Sequence, residues 1–185
     1  MTRIELWNGD ICDLEVDAIV NAANLSLWMS TGVAGEIKRA GGDAIEFAAV
    51  RQAPVPIGEA IVTPAGRLAA KIVIHAVSLD RDRRTSAEII DRAVRSAMAR
   101  ARELRVASIA FPAMGTGVGG FPIDEAAVVT VRAVRDELRH SPTIEFVTFA
   151  MRGAAAYRAF EAALAEDVAV ARPSSGGSAG GAVHA

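Results

Sequence analysis

The chain has 185 residues, of which 51% are hydrophobic and 23% are charged, and its formal net charge is −2. The length fits a single domain of ordinary size. Charged residues interrupt every apolar run well short of the ~18 residues that would indicate a membrane span. The small negative charge excludes a general electrostatic attraction to nucleic acid. Because the amino terminus has no basic segment followed by a long apolar core, we expect a cytoplasmic protein without a signal peptide.

Cysteine and histidine are too sparse for a disulfide-bonded or metal-binding framework. Cys12 is the only cysteine, so an internal disulfide is excluded. The three histidines, His75, His140 and His184, are far apart and lack the spacing of metal ligands. We therefore expect no metal. We also expect no cofactor, no association with a membrane and a monomer.

Strand-like and helical patterns alternate along the chain. Helices are predicted at Ser86–Leu104, preceded by a capping box of Thr85 and Glu88, and at Asp124–Leu138. Six apolar runs rich in Val, Ile and Phe are predicted as strands: Ile4–Trp7, Ala18–Ala22, Glu59–Thr63, Ile72–Val77, Ala107–Phe111 and Ile144–Ala150. This alternation predicts an α/β fold with a mixed, largely parallel sheet covered by helices on both faces.

The domain is predicted to span residues 1–170. Residues 171–185 are rich in Gly, Ser and Ala, and they cannot bury enough apolar surface to offset the backbone entropy lost on folding. We expect them to form a flexible tail.

Four motifs indicate a ligand site. Gly9-Asp10-Ile11 follows the first strand, and the second strand, in residues 16–24, ends with two asparagines, Asn21 and Asn24. Glycine-bearing loops follow at residues 31–35 and 115–120. Because α/β sheets bind ligands at strand ends, two such loops suit a diphosphate.

These motifs resemble the macrodomain family, whose pattern runs G-D-I, V-D-A-I-V-N-A-A-N, G-V-A-G and a second loop S-T-G-V-x-G-x-P. The resemblance covers about residues 2–166. It implies a three-layer α/β/α sandwich that binds ADP-ribose, often with hydrolase activity. The implied partners are ADP-ribose or ADP-ribosylated proteins and nucleic acids.

The resemblance implies a role for each polar motif residue. Asp10 would accept a hydrogen bond from the adenine amino group, with the backbone amide of Ile11 beside it. As a bare sequence feature, Asp10 is more typical of a turn closed by its own side chain. Asn24 would reach the distal ribose and is the candidate catalytic residue. Asn21 is either a ligand contact or an amide bonded to neighbouring structure.

The two loops would supply backbone amides to the diphosphate, the first at the positive end of a helix. Phe149 would lie beside the adenine ring, although a place in the core is equally compatible with its strand. Trp28 would cover the ribose or pack against a helix. The predicted loop contacts are Gly32, Val33, Ala34 and Gly35 in the first loop, and Gly115, Thr116, Gly117, Val118 and Gly119 in the second.

Two departures from the family pattern bear on catalysis. Members with hydrolase activity often have aspartate where this chain has Ala34, and a glycine run where it has Ser30 and Thr31. A substrate phosphate oxygen is another group that can activate water. His75 is more typical of a hydrogen-bonded core histidine than of a general base. Glu36 is compatible with two roles: a carboxylate that orients the attacking water, or a solvent-exposed glutamate in the first turn of the helix.

Three functions remain open from the sequence. The leading hypothesis is a hydrolase that removes ADP-ribose from proteins or nucleic-acid ends, or deacetylates O-acetyl-ADP-ribose. The second is a non-catalytic ADP-ribose reader, which Ala34 favours. The third, a general nucleotide-binding domain, is weakest because the chain lacks the phosphate-binding motif G-x-x-x-x-G-K-[ST].

Overall fold

The computed structural model describes residues 2–170, and the predicted tail at 171–185 lies outside the described residues. Within the described residues the chain forms six strands and five helices, with a short 3-10 turn at Ile11–Asp13. The strands are β1 (Arg3–Asn8), β2 (Ala18–Asn24), β3 (Ala60–Pro64), β4 (Ile72–Leu79), β5 (Ser108–Phe111) and β6 (Phe146–Met151). The helices are α1 (Gly32–Gly41), α2 (Asp43–Val50), α3 (Ala87–Glu103), α4 (Ile123–Leu138) and α5 (Ala154–Val170).

The strands form one sheet in the order β1-β6-β5-β2-β4-β3. All neighbouring strands are parallel except β3 and β4, which are antiparallel. Residues of α1 and α2 pack in apolar clusters on one face of the sheet, and residues of α3, α4 and α5 pack in a larger cluster on the other. The predicted three-layer α/β/α sandwich with a mixed, largely parallel sheet is confirmed.

The structure corrects some predicted boundaries. Most strands begin or end within one or two residues of the prediction. The sequence does not predict α2, because this helix has only 8 residues and its N-cap residue, Gly42, provides no side-chain cap. Helix α3 is capped by Ser86, whose Oγ accepts a hydrogen bond from the Ile89 amide at 3.2 Å. Thr85 therefore does not form the predicted capping box with Glu88.

Asp17 fixes the start of β2 against its two neighbours. One carboxylate oxygen accepts hydrogen bonds from the amides of Ala107 and Ser108, at 2.9 and 3.1 Å, and the other lies 2.6 Å from Lys71 Nζ. These bonds, with the Lys71 bond first, lower the pKa of Asp17. The register of β2 with β4 and β5 determines where the side chains at the carboxyl ends of these strands lie.

The topology opens a crevice at the carboxyl end of the sheet. β2 and β5 are neighbours, yet the chain leaves β2 toward α1 on one face and leaves β5 toward α4 on the other. Ligands of open α/β sheets bind in such a crevice, where the direction of the connections changes. No helix in the described part of the chain is long and apolar enough to cross a lipid bilayer.

Candidate functional site

An open cleft lies at this crevice. The segments after β2 and β5, together with the loop after β4, form its walls. Its lining residues are Ala22, Asn24, Trp28, Ser30, Thr31, Gly32, Val33, Ala34, Leu79, Arg83, Ala113, Gly115, Gly117, Val118 and Gly119. The cleft therefore contains eight of the residues predicted to bind ligand: Asn24, Gly32, Val33, Ala34, Gly115, Gly117, Val118 and Gly119.

The first wall is the amino terminus of α1. The helix begins at Gly32 itself, and the first backbone bond of this turn is donated by Gly35 to the Thr31 carbonyl at 3.2 Å. The amides of Gly32, Val33 and Ala34 therefore have no intrahelical acceptor. Gly32 has φ +60, a left-handed conformation that glycine adopts without strain. Three free amides and the positive end of the helix dipole point to an anion at this wall.

The opposite wall is the loop after β5. This loop is closed by the Gly120 amide on the Gly117 carbonyl and the Phe121 amide on the Gly115 carbonyl, each at 3.1 Å. Within residues 2–170, the amides of Gly117, Val118 and Gly119 have no intramolecular acceptor. A Cβ at Gly119 would lie 2.7 Å from the Gly115 carbonyl oxygen. The compact shape of this wall therefore depends on glycine at 119.

Two predicted loop residues do not line the cleft. The Thr116 hydroxyl donates to the Ala113 carbonyl at 3.0 Å and so holds the loop together. Gly35 is buried behind the first wall, where its amide is already bonded to Thr31. The Thr116 hydroxyl and the Gly35 amide thus bond within the chain, and the contacts of these two residues with ligand stay predictions.

Asn24 lies at the carboxyl end of β2, inside the cleft. Its Nδ2 donates to the Trp28 carbonyl at 3.2 Å, and its Oδ1 accepts bonds from the Ser26 amide and hydroxyl at 3.1 and 2.9 Å. The side chain of Trp28 is 55% exposed and lines the cleft. Of the two alternatives for Trp28, the structure therefore favours the cover over the cleft.

Asn21 is a core residue beneath the cleft. It is 1% exposed, and its Nδ2 lies 3.1 Å from His75 Nδ1. On the other side of the ring, His75 Nε2 lies 2.9 Å from Thr63 Oγ1. Burial lowers the pKa of His75 to about 4, so the ring is neutral at pH 7. The predicted ligand contact of Asn21 is therefore corrected to a structural bond with His75, which is the core histidine that the sequence favours.

A second polar cluster lies where β1 and β6 end. Asp10 Oδ1 accepts the Cys12 amide at 2.9 Å, which closes the side-chain turn expected of Gly-Asp. Asp10 Oδ2 lies 3.2 Å from Arg152 Nη2, and the other guanidinium nitrogen, Nη1, bonds to Glu36. Glu36 therefore faces Arg152 rather than Asn24, and its predicted alternatives of water orientation and free solvation are both replaced by an ion pair.

Ile11 and Phe149 lie on opposite faces of the sheet. Ile11 is 4% exposed and packs in the cluster with Ala150, and its place beside Asp10 stays a predicted adenine contact. Phe149 is fully buried on the other face, with ring centroids 6.2 Å from Phe111 and 5.3 Å from Phe160. Because neighbouring residues on a strand point to opposite faces, the predicted adenine stacking of Phe149 is corrected to a core role.

Two residues that sequence reasoning missed shape the cleft. Glu46 is 3% exposed, accepts the Met29 amide at 2.7 Å and lies 2.7 Å from Lys38 Nζ. Burial acts to raise its pKa, but the bonds from Lys38 and Met29 outweigh burial and lower it. Glu46 thus fixes the segment that leads into Gly32. Its signal was a carboxylate in the otherwise apolar run at residues 44–50.

Arg83 is the charged side chain that lines the cleft. It has φ +61 in a loop that Asp80 closes, because Asp80 Oδ1 accepts the amides of Asp82 and Arg84, both at 2.8 Å. The run of charged residues directly after β4 was the available signal. The cleft lining in the described chain contains no Asp or Glu, so its electrostatic character is that of backbone donors and one cation.

Comparisons with known proteins agree with this geometry. A family model described as Macro domain matches residues 20–130, more than half of the 185. An O-acetyl-ADP-ribose deacetylase of Salmonella gallinarum is 43% identical over 154 residues, which cover 80% of this chain and 86% of that protein. An uncharacterized protein of Mycobacterium tuberculosis is 46% identical over 165 residues, 89% of this chain. The chain spans only 45% of the length of that mycobacterial relative.

Solved structures show the same fold. A mutant of the Oceanobacillus iheyensis macrodomain with ADPR has a TM-score of 0.84 at 27% identity, over 91% of this chain and 95% of that one. The Trypanosoma brucei macrodomain in complex with ADP-ribose has a TM-score of 0.81 at 28% identity, over 87% and 68% of the two chains. Together with the matching motifs, these findings confirm the resemblance, and the chain belongs to the Macro domain family.

Proposed function

We propose that this chain binds ADP-ribose in the cleft and hydrolyses a bond at its distal ribose. The substrates would be ADP-ribosyl linkages on proteins or nucleic-acid ends, or the acetyl ester of O-acetyl-ADP-ribose. One observation carries the proposal: two sets of unpaired backbone amides line opposite walls of one cleft that also contains Asn24. The relatives named as deacetylases and the neighbours with ADP-ribose support it.

The walls suit a diphosphate because amide donors bind anionic oxygens without a charged side chain. In the proposed complex, Gly32, Val33 and Ala34 contact one phosphate, and Gly117 and Val118 contact the other. Arg83 adds a positive charge at the rim. Asp10 accepts a hydrogen bond from the adenine amino group at the far end of the site.

Asn24 would position the distal ribose. Its amide nitrogen and oxygen bond within the turn from Asn24 to Trp28, and in the complex ribose hydroxyls would replace one or both of these partners. Holding the reacting ribose in one orientation accounts for a large share of the rate in such a reaction. Asn24 is therefore the residue of the cleft on which turnover should depend most.

The chemical step needs a water molecule and a proton acceptor. For an ADP-ribosyl ester, the water oxygen bonds to the anomeric carbon while the bond from that carbon to the carboxyl oxygen breaks. For an acetyl ester, water adds to the acetyl carbon and the ribose oxygen leaves. Because the described cleft lining contains no carboxylate, we assign the water proton to a phosphate oxygen of the substrate.

The test is a panel of substrates. The protein is incubated with mono-ADP-ribosylated targets bearing Glu/Asp, Ser, Arg or nucleic-acid-end linkages, and with O-acetyl-ADP-ribose. Release of ADP-ribose or acetate is followed over time. We expect turnover of at least one substrate. We also expect one class of linkage to be hydrolysed faster than the others. Binding of ADP-ribose without release from any of them would contradict the hydrolase.

A second candidate function is a non-catalytic ADP-ribose reader. It is favoured by one observation, the apolar Ala34 at the position where a carboxylate would orient water. The wild type would then bind ADP-ribose and release nothing. Replacing Ala34→Asp adds a carboxylate to the first wall, so a gain of turnover in that variant would identify the wild type as a reader whose binding site is intact.

A further inference from the structure

We propose that Arg152 is a positioning residue for the adenine ring. Its guanidinium holds the Asp10 carboxylate in place and offers the flat face on which the purine lies. The inference deepens the proposed function and rests on it, because Asp10 has an adenine to bind only if ADP-ribose is the ligand.

The sheet register brings Arg152 and Asp10 together. β1 and β6 are parallel, with Asn8 opposite Met151, and the Gly9 amide bonds to the Met151 carbonyl at 2.9 Å. Asp10 and Arg152 are therefore the next residues beyond this last pair, although 142 residues separate them in sequence. Both residues follow directly on the ends of β1 and β6, so the pairing of these strands brings them together.

The bonds of Asp10 leave it ready to accept one more donor. Oδ1 is used by the Cys12 amide and Oδ2 by Arg152 Nη2. An ionised carboxylate has about four acceptor positions, so an adenine amino group can still bind. With both oxygens held, Asp10 loses no further side-chain freedom when the ligand arrives.

Glu36 holds the other side of the guanidinium. It lies on α1, the helix whose first turn forms the first wall of the cleft, and it bonds to Arg152 Nη1. One cation thus lies between two carboxylates from two elements. Their like charges would repel each other without it, and the cluster as a whole stays negative, which suits the donor edge of adenine.

The guanidinium also replaces the aromatic ring that the sequence predicted here. Phe149 faces the opposite side of the sheet, whereas the side chain of Arg152 is 61% exposed beside Asp10. A guanidinium is planar and weakly hydrated, and it stacks on aromatic faces. Its in-plane nitrogens are used by Asp10 and Glu36, which fixes the orientation of the plane and leaves its faces for the purine.

The experiment compares ADP-ribose with IDP-ribose, in which a carbonyl oxygen replaces the adenine amino group. Both ligands are titrated calorimetrically into the wild type, Arg152→Ala, Arg152→Lys and the control Arg139→Ala, which removes an exposed arginine that pairs with Asp136 within its own helix end. We expect Arg152→Ala to lose roughly tenfold in ADP-ribose affinity and to discriminate less between the two ligands. Arg152→Lys keeps the charge but not the plane, so it should recover part of the discrimination and little of the affinity.

The outcomes separate the two proposals. If the wild type does not bind ADP-ribose, the proposed function fails and this inference fails with it. If the wild type binds and Arg152→Ala binds as tightly or more tightly, Arg152 is no platform and the inference alone is overturned. Equal weakening for both ligands with unchanged discrimination would also overturn it, because loss of stacking alone weakens both ligands alike, whereas the proposed hold on Asp10 requires the discrimination to fall.

Discussion

The two ends of the proposed site are built from different parts of the polypeptide. At the cleft, the donors are backbone amides of the first turn of α1 and of the loop after β5. Where β1 and β6 end, the polar groups are the side chains of Asp10, Glu36 and Arg152. The cleft thus depends on backbone shape, whereas the adenine end depends on individual charged side chains.

This difference predicts how each end responds to substitution. Side chains at the cleft walls can change while the amides stay in place, provided that the backbone path is kept. At the adenine end, removing Arg152 leaves the carboxylates of Asp10 and Glu36 without their shared cation. Substitutions should therefore separate turnover, diphosphate affinity and base recognition.

The largest effect is expected from Asn24→Ala. Loss of the amide lets the distal ribose shift, and a misplacement of about an ångström can lower the rate by roughly 100-fold. Binding of ADP-ribose should change far less, because the walls and Asp10 are unaltered. Steady-state turnover and calorimetry on the same preparation test this. Turnover that is indifferent to Asn24→Ala would contradict the role of Asn24 in positioning the distal ribose.

Gly119→Ala tests the backbone end. The new Cβ would lie 2.7 Å from the Gly115 carbonyl oxygen and 2.9 Å from Leu79, so the loop must move and its amides with it. Losing one hydrogen bond to a charged group, worth ~1.5–3 kcal/mol, predicts an affinity loss of about tenfold or more. ADP-ribose and IDP-ribose should be affected equally.

The matched control is Gly117→Ala, in the same loop. A Cβ at Gly117 has no neighbour within 4 Å in the described structure, so the melting temperature should stay close to that of the wild type while Gly119→Ala lowers it. Equal melting temperatures for the two variants would show that the close approach at Gly119 does not shape the loop.

Asp10→Ala tests the side-chain end. A charge-assisted hydrogen bond contributes ~1.5–3 kcal/mol, so the affinity for ADP-ribose should fall by roughly tenfold. In contrast to Gly119→Ala, this variant should also lose its discrimination between ADP-ribose and IDP-ribose. Unchanged affinity in a folded variant would remove Asp10 from the site.

The core beneath the cleft gives the smallest predicted effect. The pKa of His75 is about 4 in the folded chain and 6.5 as the ordinary value, so only the unfolded state takes up this proton as the pH falls through 6.5. The contribution of His75 to stability is complete above pH 6.5 and declines toward pH 4. Relative to His75→Gln, we expect the wild type to lose about 1 kcal/mol of unfolding free energy between pH 7.5 and 5.5.

Denaturant unfolding at the two pH values measures this difference. The Asn21 and Thr63 contacts of His75 make some loss of stability in His75→Gln expected at both pH values. The informative quantity is the change in that loss with pH. Parallel pH profiles for the wild type and the variant would show that the ring is not held neutral by burial.

The sequence predicted the backbone end well and the side-chain end poorly. Alternating apolar patterns indicate strands, and the glycine runs at residues 32–35 and 115–120 mark where the backbone can supply donors, since both signals are local in sequence. The pair of Asp10 and Arg152 depends on which strands become neighbours, which no local pattern shows. The same limit explains Phe149, because an apolar strand residue does not reveal which face of the sheet it points to.

Asn21 and Asn24 show the boundary of sequence prediction within one motif. Both end an apolar strand and both need hydrogen-bond partners, so the motif alone leaves their roles open. The structure separates them by three positions along β2: Asn21 is still opposite His75 inside the sheet, and Asn24 is beyond the last regular pair, in the cleft. Glu46 was missed because its partner, the Met29 amide, is supplied by a segment without regular structure.

The most direct test of the central claim, that two amide walls bind a diphosphate and place the distal ribose at Asn24, is a calorimetric comparison of ADP-ribose with AMP. AMP carries the adenine and one phosphate but cannot reach both walls. We predict that ADP-ribose binds the wild type far more tightly than AMP does. Equal affinities for the two ligands would contradict the two-wall account and would favour a general nucleotide-binding domain.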